Sequence, residues 1–219
     1  MLVNDCMTRH PILIAPTTLA TEAQRILTEN NIRHLPVVGD GKRLEGLVTH
    51  QSFRLDPEMV GSLNVWDISR YLADLQVRQV MAKAKDVVTI TPERTAERAA
   101  RLMMDRKVSC LPVVEDGEVV VGILTEVDLL HAFQTMLALP EEGIRVTVRM
   151  PNKKGEFAKL TAVLGQHEIG VMGVGTYPTP RREGYYDCVL KIRNVTEEQI
   201  RAALGQIPEQ EIVDLRTAV

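Results

Sequence analysis

Apolar residues two apart alternate along this chain with apolar residues three and four apart, and the first half of that pattern occurs twice. His34-Leu35-Pro36-Val37-Val38 returns as Cys110-Leu111-Pro112-Val113-Val114, 76 residues later. The same step carries Pro16 onto Pro92, Ala23 onto Ala99, Gly41 onto Gly117, Gly46 onto Gly122 and Thr49 onto Thr125. A register this long marks a true internal repeat, and a repeat decides the architecture before any other signal. Each copy predicts a strand (Ile12–Ile14, Val87–Ile90), then a helix whose apolar face is Leu19, Ala23, Ile26, Leu27 or Ala96, Ala99, Leu102, Met103. Thr18 is the expected N-cap of the first of these helices. Two strands follow, joined by Gly39-Asp40-Gly41 or Asp116-Gly117, with a short helix closing each copy. The proline inside each Leu-Pro-Val-Val run excludes a fully paired central strand. One such unit buries too little surface to stand alone, so the two copies are expected to pack as one pseudo-symmetric domain.

Between the copies, Val65, Ile68, Leu72 and Leu75 predict an amphipathic connecting helix. Beyond Pro140 the period changes. Ile144, Val146, Val148 and Met150 alternate with polar residues, as do Tyr186, Cys188, Leu190 and Ile192, which predicts strands with one wet face. Phe157, Leu160 and Leu164 predict a helix between them, and Ile200 to Ile207 predict another, opened by a capping box from Thr196 to Gln199. With strands near 169–177 and 211–216 the order is βαββαβ, the split-βαβ or ferredoxin-like plan. The fold class is therefore α/β (α+β). Residues 1–139 form the repeat pair (1–54, an insertion at 55–76, then 77–135), and residues 140–219 form a second domain.

Composition narrows the function. The chain has 219 residues, 45% apolar and 25% charged, with a formal charge of −3. No positive field points to nucleic acid or an anionic membrane. Three scattered cysteines suggest neither a disulfide framework nor a zinc site, and no apolar run approaches a membrane span. A cytoplasmic protein is the expectation. No nucleophile motif or paired histidines equip the chain for catalysis, and no metal is expected.

The repeated unit, with Gly46-Leu47-Val48-Thr49-His50-Gln51-Ser52 and Gly122-Ile123-Leu124-Thr125-Glu126-Val127-Asp128, resembles a tandem CBS-domain pair, or Bateman module. The βαββαβ part with its loop Pro151-Asn152-Lys153-Lys154-Gly155 resembles an ACT domain. The combination is similar to AcuB-type proteins of acetoin utilisation. For the CBS pair the resemblance implies an adenosine-containing ligand (AMP, ADP, ATP or S-adenosylmethionine). Its ribose would meet Thr125 and Asp128, because a carboxylate suits a paired diol. The same two residues also suit plain helix capping, Thr125 as N-cap and Asp128 as a first-turn acid. The first copy offers Thr49 and Ser52, and a neutral serine predicts a site weaker by very roughly tenfold.

An apolar floor is expected from Val88, Ile90, Cys110, Leu111 and Pro112 beside Thr125, and from Leu13, His34, Leu35 and Pro36 beside Thr49. Arg9, His10, Arg33 and Lys83 are phosphate candidates. In the ACT-like part, Asn152, Gly155, Glu156 and Phe157 mark the loop and helix start where an amino acid would sit. The leading expectation is a non-enzymatic ligand sensor, dimeric with itself and signalling to a partner protein. A dimerisation scaffold is the alternative, and an enzyme of acetoin metabolism a third reading.

Overall fold

The computed structural model describes residues 1–54 and 73–218. The connecting helix expected at 55–76 therefore lies almost wholly outside the described residues. The chain divides into two compact units, residues 1–129 and 130–219.

In the first unit each repeat contributes a helix, α2 (Ala20–Glu29) or α4 (Ala96–Arg106), and a hairpin, β2–β3 (His34–Val38, Leu44–Thr49) or β5–β6 (Cys110–Glu115, Val119–Thr125). The hairpins match residue for residue. Leu35 faces Val48 as Leu111 faces Leu124, and the register slips at Val37/Val38 in one and Val113/Val114 in the other. The third strand of each sheet is exchanged. β1 (Thr8–Arg9), from the first repeat, pairs with β6, while β4 (Ala82–Lys83), from the second, pairs with β3. This exchange explains the repeated glycines. A Cβ on Gly46 would strike the Ala82 carbonyl and the Met81 sulfur, and one on Gly122 would strike the Met7 sulfur and the Thr8 carbonyl.

Two expectations are corrected here. The strands expected at Ile12–Ile14 and Val87–Ile90 reduce to single parallel bridges, Ile14 to Val37 and Ile90 to Val113. Ile14 N–H donates to the Pro36 carbonyl and Ile90 N–H to that of Pro112, but neither proline has an N–H with which to extend the ladder. The first repeat helix is not capped by Thr18. Its N-cap is Leu19, with no side-chain bond, whereas the equivalent Thr95 accepts from Arg98 N–H at 3.2 Å. Leu27, Leu35, Val37, Val48 and Val77 are wholly buried in the first-repeat core. A short helix, α3 (Val77–Val80), leads the second repeat into β4.

The second unit has the strand order β10-β7-β9-β8, all antiparallel, built from β7 (Gly143–Pro151), β8 (Gly170–Pro178), β9 (Tyr185–Arg193) and β10 (Glu211–Ala218). Helices α6 (Glu156–Gln166) and α7 (Glu197–Leu204) supply Leu160, Leu164, Ile200 and Leu204 to one core with Val146, Val148, Cys188, Leu190 and Ile192. The capping box opens α7: Thr196 Oγ1 accepts from Gln199 N–H, and Gln199 Oε1 accepts from Thr196 N–H.

The expected wet face is the exception. Thr147, Asp187 and Lys191 are 3%, 3% and 2% exposed. Asp187 is held there by a two-point contact from Arg149 (2.8 and 3.1 Å) and by the Thr179 hydroxyl (2.8 Å). A buried carboxylate is tolerable when paired and hydrogen-bonded in this way. Gly173 of β8 lies where a Cβ would meet the backbone of Leu137 and Ala138, so this glycine serves a close backbone approach.

Candidate functional site

The exchanged strands set the composition of the cleft in the first unit. β3 ends at Thr49, and β4 beside it leads through a 3-10 turn (Ala84–Asp86) to Val87 and Val88. A cavity of about 420 Å³ opens there, lined by Leu47, Thr49, His50 and Gln51 of the first repeat with Val87, Val88, Lys107, Val108, Ser109 and Cys110 of the second. Arg33, His34, Ala82 and Asp86 complete the wall. Such a volume lies within the usual range for small-ligand sites.

The grouping differs from the one the repeats suggested. Val88, expected beside Thr125, instead lines the cavity that Thr49 lines, whereas Cys110 does pair with Thr125 across β5–β6 and lines the Thr49 cavity as well. Leu35 and Leu111 are fully buried, Pro36, Pro112 and Ile90 are buried with them, and none of the five lines this cavity. Leu13 packs against the Leu44, Val114 and Val120 cluster. Of the phosphate candidates only Arg33 reaches the cavity wall. Arg9 donates to the Asn4 carbonyl at 3.1 Å, and Arg9, His10 and Lys83 are exposed outside that wall. His50, Asp86 and Lys107 line the cavity and escaped the sequence reading. Lys107 caps α4 in a left-handed conformation (φ 53°), and Asn31, its counterpart in the first repeat, adopts the same one (φ 50°).

His34 Nε2 lies 2.9 Å from Ser109 Oγ, a contact between the repeats on the cavity wall. Burial, with Arg33 and His50 nearby, lowers the His34 pKa below the usual imidazole value. Burial, assisted by Glu126, raises that of Cys110 to about 12, so this cysteine is a neutral thiol packing against the cleft.

At the end of each hairpin, threonine closes a cap. Ser52 Oγ accepts from Thr49 N–H at 3.1 Å, and Thr49 Oγ1 accepts from Gln51 N–H at 3.2 Å. In the second copy α5 (Glu126–Met136) starts behind Thr125. Asp128 Oδ2 accepts from both Thr125 N–H and Thr125 Oγ1–H at 2.7 Å, while Thr125 Oγ1 faces Asp128 N–H at 3.3 Å. The capping role is therefore realised. Neither Thr125 nor Asp128 lines the cavity that Thr49 lines.

A second cavity, of about 390 Å³, lies in the other unit between the loop before α6 and strand β8. Asn152, Glu156 and Phe157 line it with Lys153, Tyr186 and Val174. Gly155 is the N-cap of α6 at φ 90°, a conformation that favours glycine. Phe157, expected on the apolar face of α6, is instead 44% exposed at this cavity. The charges nearby are already matched. Glu156 receives Lys159 at 2.7 Å and Gln210 at 3.0 Å, and Lys153 meets Glu209 at 3.1 Å. Those donors, Lys159 first, hold the Glu156 carboxyl below its ordinary value.

Among the described residues no group of three His, Cys, Asp or Glu side chains gathers as a metal requires, and no helix is long and apolar enough to cross a membrane.

The first unit is thus a pair of like repeats, sharing strands and lining a ligand-sized cleft with residues of both. The CBS-domain family model matches residues 3–54 and 77–135, just over half of the chain, and the chain belongs to that family. Among solved structures it is similar to an AcuB protein, described as a putative acetoin utilization protein, from Vibrio cholerae (28% identity, TM-score 0.52, covering 64% of this chain and 95% of that one). It is also similar to CBSX2 of Arabidopsis thaliana, solved in complex with AMP (26% identity, TM-score 0.50, covering 60% and 95%). Among curated proteins it is 36% identical over 127 residues to a homoserine O-acetyltransferase of Methanocorpusculum labreanum. That match takes in 57% of this chain and 23% of the relative, so the chain spans about a quarter of that protein's length.

Proposed function

We propose that this protein is a non-enzymatic sensor in which the CBS pair binds an adenosine-containing ligand and its occupancy is passed to a partner protein. The carrying observation is the 420 Å³ cleft shared by the two repeats, with Thr49 at one side and Val88 and Cys110 as apolar walls. A purine stacks on such apolar side chains while its sugar hydroxyls seek the threonine and neighbouring backbone. The AMP complex of the similar CBSX2 supports the same ligand class.

The second unit, with its βαββαβ order, is read as an ACT-like domain, and residues 140–219 as its extent. An amino acid at Asn152, Gly155, Glu156 and Phe157 belongs to this reading, as do homodimerisation and a cytoplasmic setting. The likeness to the Vibrio cholerae AcuB protein supports a place in acetoin utilisation.

One observation favours the rival reading, a scaffold without ligand: Thr125 and Asp128 satisfy each other as a helix cap. Thermal denaturation against AMP, ADP, ATP and S-adenosylmethionine decides between them. A ligand at 100 times its dissociation constant adds about 2.7 kcal/mol to stability. A melting temperature indifferent to the whole panel would leave the scaffold.

A further inference from the structure

The hydrogen bond that joins the two repeats has one partner able to change its charge near neutral pH, His34, and one that is not, Ser109. The repeat step carries His34 onto Cys110 and Arg33 onto Ser109, and all four residues line the Thr49 cavity. The charged and titratable groups on the same wall come from both repeats. Arg33 precedes His34, His50 follows β3, Asp86 lies in the turn after β4, Lys107 ends α4 and Cys110 opens β5. Glu126 stands behind Ser109, its N–H donating to the Ser109 carbonyl at 3.1 Å. Among the described residues Asp86 is the one acid on the cavity wall, against Arg33, Lys107 and two imidazoles. Cys110, raised to about 12 by burial and then by Glu126, keeps its proton throughout the neutral range.

We infer that His34 is a proton switch for this cleft: an uncharged adenosyl ligand binds while the imidazole is neutral and is expelled when the ring takes up a proton. The inference rests on the adenosine reading above and adds to it a control by pH. His34 is half-buried and lines the cavity, so a purine seated there takes water away from the ring. An imidazolium has two N–H donors, and Ser109 Oγ, lying against Nε2, accepts from only one of them. The Nδ1 proton then loses its water to the ligand, and a charged ring stripped of solvent is costly. Burial, and after it Arg33 and His50, already oppose that charge, and an uncharged ligand brings nothing to offset it. Occupancy and a neutral His34 therefore favour each other, and binding near the folded pKa releases a proton.

Isothermal titration of adenosine into the full chain between about pH 8 and pH 5 tests this, because histidine titrates in that range and adenosine does not. Wild-type affinity should fall by about threefold or more across the range, tending to about tenfold per pH unit below the folded pKa. His34→Gln removes the titrating group and keeps an amide able to meet Ser109. Whatever its affinity, that variant should hold it within about twofold across the range. His50→Gln, which leaves the switch in place, should retain the fall. At the acid end, wild type titrated in two buffers of different protonation enthalpy should release a proton on binding, a readout independent of either variant. A flat wild-type profile, binding without proton release, an equal fall in His34→Gln, or a fall that His50→Gln abolishes would overturn the switch and leave the adenosine reading standing. No binding of adenosine at any pH would overturn the switch, and failure of AMP to bind as well would overturn the adenosine reading with it.

Discussion

His34 and Ser109 meet at 2.9 Å across the boundary between the two repeats, and both line the cleft. The hydrogen bond ties the start of β2 to the residue before β5, so the two Leu-Pro-Val-Val strands are held in fixed relation where a ligand would enter. Ser109→Ala should destabilise the first unit by at most about 1 kcal/mol, read from urea denaturation, since it removes one partner of an exposed hydrogen bond. An unchanged midpoint would show that the contact holds nothing.

The same histidine sets a pH dependence. Its folded pKa is lowered, chiefly by burial, so the unfolded chain takes up a proton at higher pH than the folded one. The stability gained by keeping it neutral is present in full above the unfolded value, about 6.5. It is lost as pH falls from there through the folded value. His34→Gln should flatten that acid limb between pH 7 and 5 in a series of thermal melts. A limb as steep in the variant as in wild type would assign it to other groups.

Gly46→Ala tests the strand exchange. The new Cβ would meet the Ala82 carbonyl, which belongs to backbone and cannot swing away. A loss of about 1–3 kcal/mol is expected, with β4 losing its amide protection first in hydrogen exchange. A variant as stable as wild type, with β4 still protected, would argue against the close approach.

Much of this was readable from the chain, and what escaped has physical reasons. The Leu-Pro-Val-Val hairpins, the Thr196 capping box and the alternation in β7 and β9 are local signals, and each forms where its period falls. Strand exchange is not local. β1 and β4 have two residues each, too few for any periodicity to show, yet β4 beside β3 brings Val88 to the cavity that Thr49 lines. Lys107 and His50 were missed for the same cause, since a cation after a helix and another after a strand look like ordinary solvated charge until the topology joins them. Thr18 misled because the cap falls one residue later, where this repeat has a leucine. The alternation in β9 also implied solvent on both Asp187 and Lys191, and burial of that face leaves no trace in a two-residue period.

Asp187 offers a prediction in the second unit. Arg149, first, and then Thr179 hold its pKa below the ordinary carboxylate value against the opposing effect of burial. The stability this confers is present above the unfolded value near 3.9 and is lost as pH falls through the folded one. Asp187→Ala leaves Arg149 without its partner and should cost about 2–3 kcal/mol, with loss of the near-UV signal of the neighbouring tyrosines at mild denaturant. Full retention of stability would mean that the pair is merely tolerated there.

The claim on which the account turns is that the cleft between the repeats receives an adenine nucleotide. Its most direct measurement is calorimetric titration of AMP into the full chain beside Val88→Trp, which fills the cavity from its own wall. The account predicts saturable binding to wild type and none to the variant, with the variant's melting temperature in the absence of nucleotide close to wild type. No heat of binding to wild type, or an undiminished affinity in the variant, would contradict it.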